Sequence, residues 1–242
     1  MTAHPQIGGR VEILENGQAL AARAADFIAE QMQGCAAPYR LCLSGGSTPK
    51  ATYKLLAQRN DMPWDCTELF FGDERFVSPD HPDSNYRMVR ESLLAGGNVR
   101  PRLLLPMPTD GTPQSSADAY EEILRQQYGA SVLDPDVPLF DLMLLGLGPD
   151  GHTASLIPGQ PVLQEKSRLV APVPQGRPDV RLTLTYPALQ SAKVTLFLVS
   201  GADKADAVAR VRAGDAELPA GALRPSGEVV WLLDQAAAGK HV

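Results

Sequence analysis

Apolar positions along the chain fall into short blocks with two different spacings. Residues 39–43 (YRLCL) and 181–186 (RLTLTY) alternate apolar with polar, the period of a half-buried strand. Residues 68–71, 103–105, 142–145, 169–173, 193–200 and 228–233 are near-continuous apolar runs of strand length, with Trp231 packed inside the last. Helical stripes lie between them. Residues 16–33 carry Leu20, Ala24, Phe27 and Ile28 on one face, with Asn16 as cap and Gly34 as stop. Residues 85–94 follow a capping Ser84 and turn Tyr86, Val89 and Leu93 inward, residues 112–128 carry Tyr120, Ile123, Leu124 and Tyr128, and residues 205–212 form a last helix. Strand and helix alternate. That order predicts an α/β fold with a mostly parallel central sheet covered by helices on both faces.

In such sheets ligands collect outside the carboxyl ends of the strands, so the residues just after each apolar block carry the candidate chemistry. The block at 142–145 opens into GLGPDGHTASLIPG, where Asp150 and His152 stand two apart among glycines. A carboxylate and an imidazole in that arrangement can share one cleft face and move a proton near neutral pH; a surface turn is the bland alternative. Gly146 to Gly151 also fit the dinucleotide pattern G-x-G-x-x-G, but that pattern needs a helix directly after it, and Pro158-Gly159 leave little room for one. After 39–43 come Ser44, Gly45, Gly46, Ser47 and Thr48, then Pro49 at the first position of a helix capped by Thr48. This is either a plain turn and cap or a cradle of free amides and hydroxyls for a phosphate. Gly72-Asp73-Glu74-Arg75 reads either as a solvated turn or as a second charged cluster at the same edge. Asn85 can serve the first helical turn or reach the cleft, and Lys204 sits at one further strand-to-helix junction.

Composition narrows the function classes. With 44% apolar and 21% charged residues in 242, the chain has an ordinary globular make-up, and a net charge of −6 argues against sequence-independent nucleic-acid binding. Any anion must then be held by local cations and amides. Cys35, Cys42 and Cys66 are odd in number and form no C-x-x-C pair, which predicts reduced thiols in a cytoplasmic setting. The start, MTAHPQIGGR, lacks a basic stretch followed by an apolar block, so no export signal or membrane segment is expected. Neither a zinc pattern nor a G-x-S-x-G elbow occurs, so no metal is required and Ser44 is not a convincing covalent nucleophile.

Taken together, LSGGSTP at 43–49, FFGDERFV at 70–77 with SNYRM at 84–88, DLMLLGLGPDGHTASL at 141–156, RLTLTYPAL at 181–189 and VSGADKADAV at 199–208 resemble the 6-phosphogluconolactonases, in family order and over most of the chain. The resemblance implies a single domain over 1–242 with a modified Rossmann-like fold. It implies hydrolysis of 6-phospho-D-glucono-1,5-lactone to 6-phosphogluconate in the oxidative pentose phosphate pathway, without cofactor, by a monomer or small homo-oligomer. Under it, His152 is the general base supported by Asp150, and Asp73 binds sugar hydroxyls or orders the attacking water. Arg75 meets the oxyanion or the phosphate. Residues 44–48, Lys204 and Arg181 hold the phosphate. The related glucosamine-6-phosphate deaminases carry a glutamate shortly after the histidine. Here Ile157 stands near that position and no acid follows until Glu165.

Overall fold

The computed structural model describes residues 7–35 and 38–239. Residues 1–6, part of the N-terminal stretch expected to carry no targeting signal, lie outside the described residues. In chain order the elements are β1 (Arg10–Leu14), α1 (Gly17–Met32), β2 (Tyr39–Leu43), α2 (Ser47–Leu56), β3 (Thr67–Phe71), β4 (Asp73–Arg75), α3 (Asn85–Val89), β5 (Leu103–Leu104), α4 (Pro113–Tyr128), β6 (Phe140–Leu145), β7 (Val170–Val173), β8 (Arg181–Leu184), α5 (Tyr186–Leu189), β9 (Ala192–Val199), α6 (Ala205–Arg212), β10 (Glu228–Asp234) and α7 (Gln235–Ala238). A wider-wound turn, Arg90–Leu94, continues α3.

Seven strands form one sheet in the order β1-β10-β9-β6-β2-β3-β5, every pair parallel. From β2 the chain moves towards β3, whereas from β6 it moves towards β9, so the crevice between β2 and β6 is the switch point where α/β folds bind ligands. Right-handed crossovers send helices of the two directions to opposite faces. α1 packs on α2, and α2 on α3 and its continuation, while α4 covers β7 and β8. The inner strands β2, β3, β6, β9 and β10 are mostly buried because both faces are covered, whereas the edge strands β1 and β5 are not. Phe70 meets Phe140 edge to face at 5.4 Å, and Trp231 stacks on Phe197 at 3.9 Å inside the sheet. Among the described residues no helix is long and apolar enough to cross a membrane.

The expected caps of α1 and α3 are present: Asn16 accepts from the amides of Gln18 and Ala19, and Ser84 from that of Arg87. Four expectations need correction. Residues 73–75, read as a turn or charged cluster, are a strand, and with β7 and β8 they build a second, antiparallel sheet in the order β4-β8-β7. β8 is buried at Leu182, Thr183 and Leu184 rather than half-buried, because it lies between β4 and β7 under α4. α2 begins at Ser47 with Gly46, at φ 108°, in the capping place expected for Thr48; only glycine takes that backbone without strain. Cys35, after α1, and Cys66, before β3, form a disulfide across 31 residues, because the fold brings two distant turns together. The expectation of reduced thiols therefore holds for buried Cys42 alone, whose thiol pKa is pushed up by burial and then by Asp73.

Candidate active site

Four neighbouring strands, β9, β6, β2 and β3, end at the same sheet edge, and the residues after each converge on a cleft of about 340 Å³. Ser44, Gly45, Gly46, Ser47 and Thr48 follow β2, Asp73 and Arg75 follow β3, His152 follows β6, Lys204 follows β9, and Arg181 enters from the small sheet; all line the cleft. Sequence separation is large, but strand order makes them neighbours.

The loop at 44–48 is fixed from below. Tyr53 on α2 accepts from the Ser44 amide at 3.0 Å and donates to the Ser44 carbonyl at 2.8 Å. No side chain caps the start of α2, so its first amides face the cleft with the positive end of the helix dipole. The shift of the cap from Thr48 to Gly46 thus opens the helix end to an anion.

β4 explains its own three charges. Successive strand residues point to opposite sides, so Asp73 and Arg75 line the cleft while Glu74 turns away and is buried. Its carboxylate accepts from the amides of Arg75, Asn85 and Tyr86, each at 2.7 Å, and thereby ties β4 to the start of α3. Burial raises the Glu74 pKa, against the opposing pull of those amides. Asp73 is held by Ser155, which donates to it at 2.7 Å, and by the Asn85 amide group, which donates to its backbone carbonyl at 2.9 Å and its carboxylate at 3.3 Å. Asn85 thus reaches the cleft.

Arg75 and Arg181 stand directly opposite each other in the β4–β8 register. Like charges in that position repel, and the Nε–H groups of both are buried without a partner. Burial first, and then Arg75, pull the Arg181 pKa below its ordinary value. Two guanidiniums held together at this cost can supply half of an anion site. Lys204 lines the same wall, with its ammonium turned onto Asp203.

On the other wall Asp150 Oδ1 lies 2.5 Å from His152 Nδ1. Gly148 makes this packing possible: a Cβ there would lie 2.0 Å from His152 Nδ1. The loop is closed by Gly148 N–H donating to the His152 carbonyl at 2.9 Å and Thr153 Oγ1–H to the Gly146 carbonyl at 2.8 Å. Ala154, next but one to the histidine, has a positive φ of 48°, backbone strain at the cleft. No helix follows Gly151, which removes the dinucleotide reading. Asp150 sits behind His152, and its carboxylate accepts from Arg177 Nη2 at 2.7 Å. Burial pushes the Asp150 pKa up, but hydrogen bonds from Arg177 and His152 outweigh it and bring it down to about 2. An ionised Asp150 requires the proton of neutral His152 on Nδ1, leaving the Nε2 lone pair free to act as a base. Arg177 and Ser155 were absent from the sequence reading. Both lie in irregular segments, where no periodicity tells where a side chain will end up.

Residues 15–231 match the family model described as glucosamine-6-phosphate isomerases/6-phosphogluconolactonase. The chain belongs to this family. Within the family it is 42% identical over 240 residues to a protein of Synechocystis sp. named 6-phosphogluconolactonase, covering 94% of this chain and 96% of that one. The human protein of that name is 33% identical over 243 residues, covering 95% and 93%. The solved structure of 6-phosphogluconolactonase from Trypanosoma cruzi superposes with a TM-score of 0.86 at 29% identity, covering 97% of each chain.

Proposed function

We propose that the protein is a 6-phosphogluconolactonase, hydrolysing 6-phospho-D-glucono-1,5-lactone to 6-phosphogluconate in the oxidative pentose phosphate pathway. One observation carries this reading: an Asp–His pair with a free Nε2 faces, across a single cleft, two guanidiniums whose buried Nε–H groups lack partners and an uncapped helix start. A phosphorylated lactone needs a base for water at one end and cations for its anionic end at the other.

In this mechanism the substrate phosphate binds the amides and hydroxyls of residues 44–48, helped by Lys204 and Arg181. His152 Nε2 removes a proton from water, whose oxygen attacks the lactone carbonyl carbon. The negative charge that develops on the carbonyl oxygen is met by Arg75, while Asp73 holds sugar hydroxyls or the attacking water. Collapse of the tetrahedral species breaks the bond from the carbonyl carbon to the ring oxygen. The imidazolium returns its proton to that oxygen, which leaves as an alcohol. The family match over 15–231 supports treating residues 1–242 as one such domain. A small-molecule substrate needs neither nucleic acid nor membrane, and a cytoplasmic monomer or small homo-oligomer accords with it.

Amino-sugar deamination fits this cleft poorly. Ile157 is buried and apolar, and Glu165 is half-buried, with its carboxylate occupied by the amides of Lys166, Ser167 and Arg168. The test is to generate the lactone in situ and follow its decay with native protein, His152→Ala and an enzyme-free blank. Acceleration by the native protein alone is expected. No acceleration would sink the reading, and ammonia release from glucosamine 6-phosphate would move the activity to the isomerase/deaminase branch.

A further inference from the structure

We propose that Arg177 is a positioning residue that sets the catalytic state of the Asp150–His152 pair from outside the cleft. The inference rests on His152 being the base, and it concerns how that base is held and tuned. Arg177 belongs to residues 174–180, the loop joining β7 to β8, and does not line the cleft. Its Nη2 donates to Asp150 Oδ2 at 2.7 Å and lies 3.1 Å from His152 Nδ1. Asp150 therefore uses one carboxylate oxygen for the imidazole and the other for the guanidinium, which fixes its rotamer. The loop is itself seated. A Cβ on Gly176 would lie 3.0 Å from Ile157 Cγ2 and Gln160 Nε2, so its backbone rests against the segment that follows His152.

Two effects follow. The first is geometric. A carboxylate pinned on both oxygens cannot swing away from Nδ1, so Nε2 stays directed to its task without reorganisation. The second is electrostatic. With Nδ1–H donated to Asp150, the contact from Arg177 Nη2 to Nδ1 sets two donors side by side, and its repulsion grows once the ring becomes an imidazolium. Arg177 thus offsets part of the attraction that Asp150 exerts on the imidazolium and favours the neutral, basic ring. The other charged groups around the cleft are Asp73 and Arg75 on β4, Arg181 on β8 and Lys204 before α6. None of them hydrogen-bonds either member of the pair.

The test compares native protein, Arg177→Gln and Arg177→Lys by pH profiles of kcat and kcat/KM on the phosphorylated lactone. His152 is also titrated by NMR through its ring protons, a readout independent of turnover. For Arg177→Gln, kcat should fall about tenfold or more with KM within about twofold, because a general base is impaired while substrate contacts remain. Its acid limb and its NMR titration should both move to higher pH. Arg177→Lys keeps the charge and one donor, so both midpoints should return towards native values. Unchanged kcat and unchanged titration in Arg177→Gln would overturn the proposal. So would a raised KM with native kcat, which would put Arg177 on the substrate. If native protein fails to turn over the lactone, the proposed activity falls, while the NMR titration still decides whether Arg177 governs the pair.

Discussion

At the scale of single residues, the Asp150–His152 pair makes a definite prediction about pH. The Asp150 carboxyl pKa is held near about 2 by Arg177 and His152 against the effect of burial. Its folded-state pKa lies below the ordinary carboxylate value, so its contribution to stability is complete above that value and is lost as pH falls towards about 2. Across the working range Asp150 does not titrate. The acid side of kcat/KM should therefore show one ionisation, with unit slope, and that limb should vanish in His152→Asn; a slope of two would mean that Asp150 takes up a proton as well. Asp150→Asn should lower kcat by about 10³-fold or more while leaving KM close to native, since an amide no longer fixes the proton on Nδ1. Gly148→Ala tests the same geometry from behind: its Cβ would occupy the place of the imidazole, so turnover should be lost while circular dichroism stays native. Asp150 and His152 were legible in the sequence because they share one loop with a buried strand just before it. Arg177 was not, since its partner lies 27 residues away across a hairpin whose loop has no pattern.

At the scale of elements, β4 and β8 explain both what the sequence concealed and what it revealed. Three consecutive charges resemble a solvated turn, and nothing local opposes that reading; only pairing with β8 makes 73–75 a strand and divides its charges between cleft and core. α1 and α4 were legible because cap, stripe and stop coincide within each segment, without long-range information. The start of α2 was displaced because Thr48-Pro49 suits a cap and first turn, yet Gly46, with its positive φ, turns the chain two residues earlier. The opposed pair Arg75–Arg181 carries a prediction about function and stability together. Arg181→Gln removes a like-charge contact, so the empty protein should be as stable as native or more so, by about 0.5 kcal/mol. Activity on the phosphorylated lactone should nevertheless fall, mainly through KM. A melting experiment beside the kinetics checks this, and a clear loss of stability would show that Arg181 serves the fold rather than the ligand.

At the scale of the whole molecule, an anionic substrate must bind a chain whose net charge is −6. Long-range attraction is therefore not available, and affinity must come from the cleft, where Arg75, Arg181, Lys204 and the open end of α2 outnumber Asp73 and Asp150. The cationic groups come from strands, loops and a helix distant in sequence, so a ligand that bridges them links β2, β4, β8 and the start of α6, and its binding energy appears as resistance to unfolding. The reaction product, 6-phosphogluconate, can report this without turnover. At roughly 100 times its dissociation constant it should stabilise the fold by about 2.7 kcal/mol, a rise in melting temperature of roughly 5–10 °C for a chain of this size. Gluconate at the same concentration should give little, because it lacks the phosphate that the 44–48 loop and the cations are proposed to hold. Lys204→Ala and Arg181→Gln should reduce the shift, whereas His152→Asn should leave most of it, since the base acts on the lactone carbonyl and not on the phosphate. Equal shifts from the two compounds would place the binding energy on the sugar hydroxyls, with Asp73 rather than the cations as its centre.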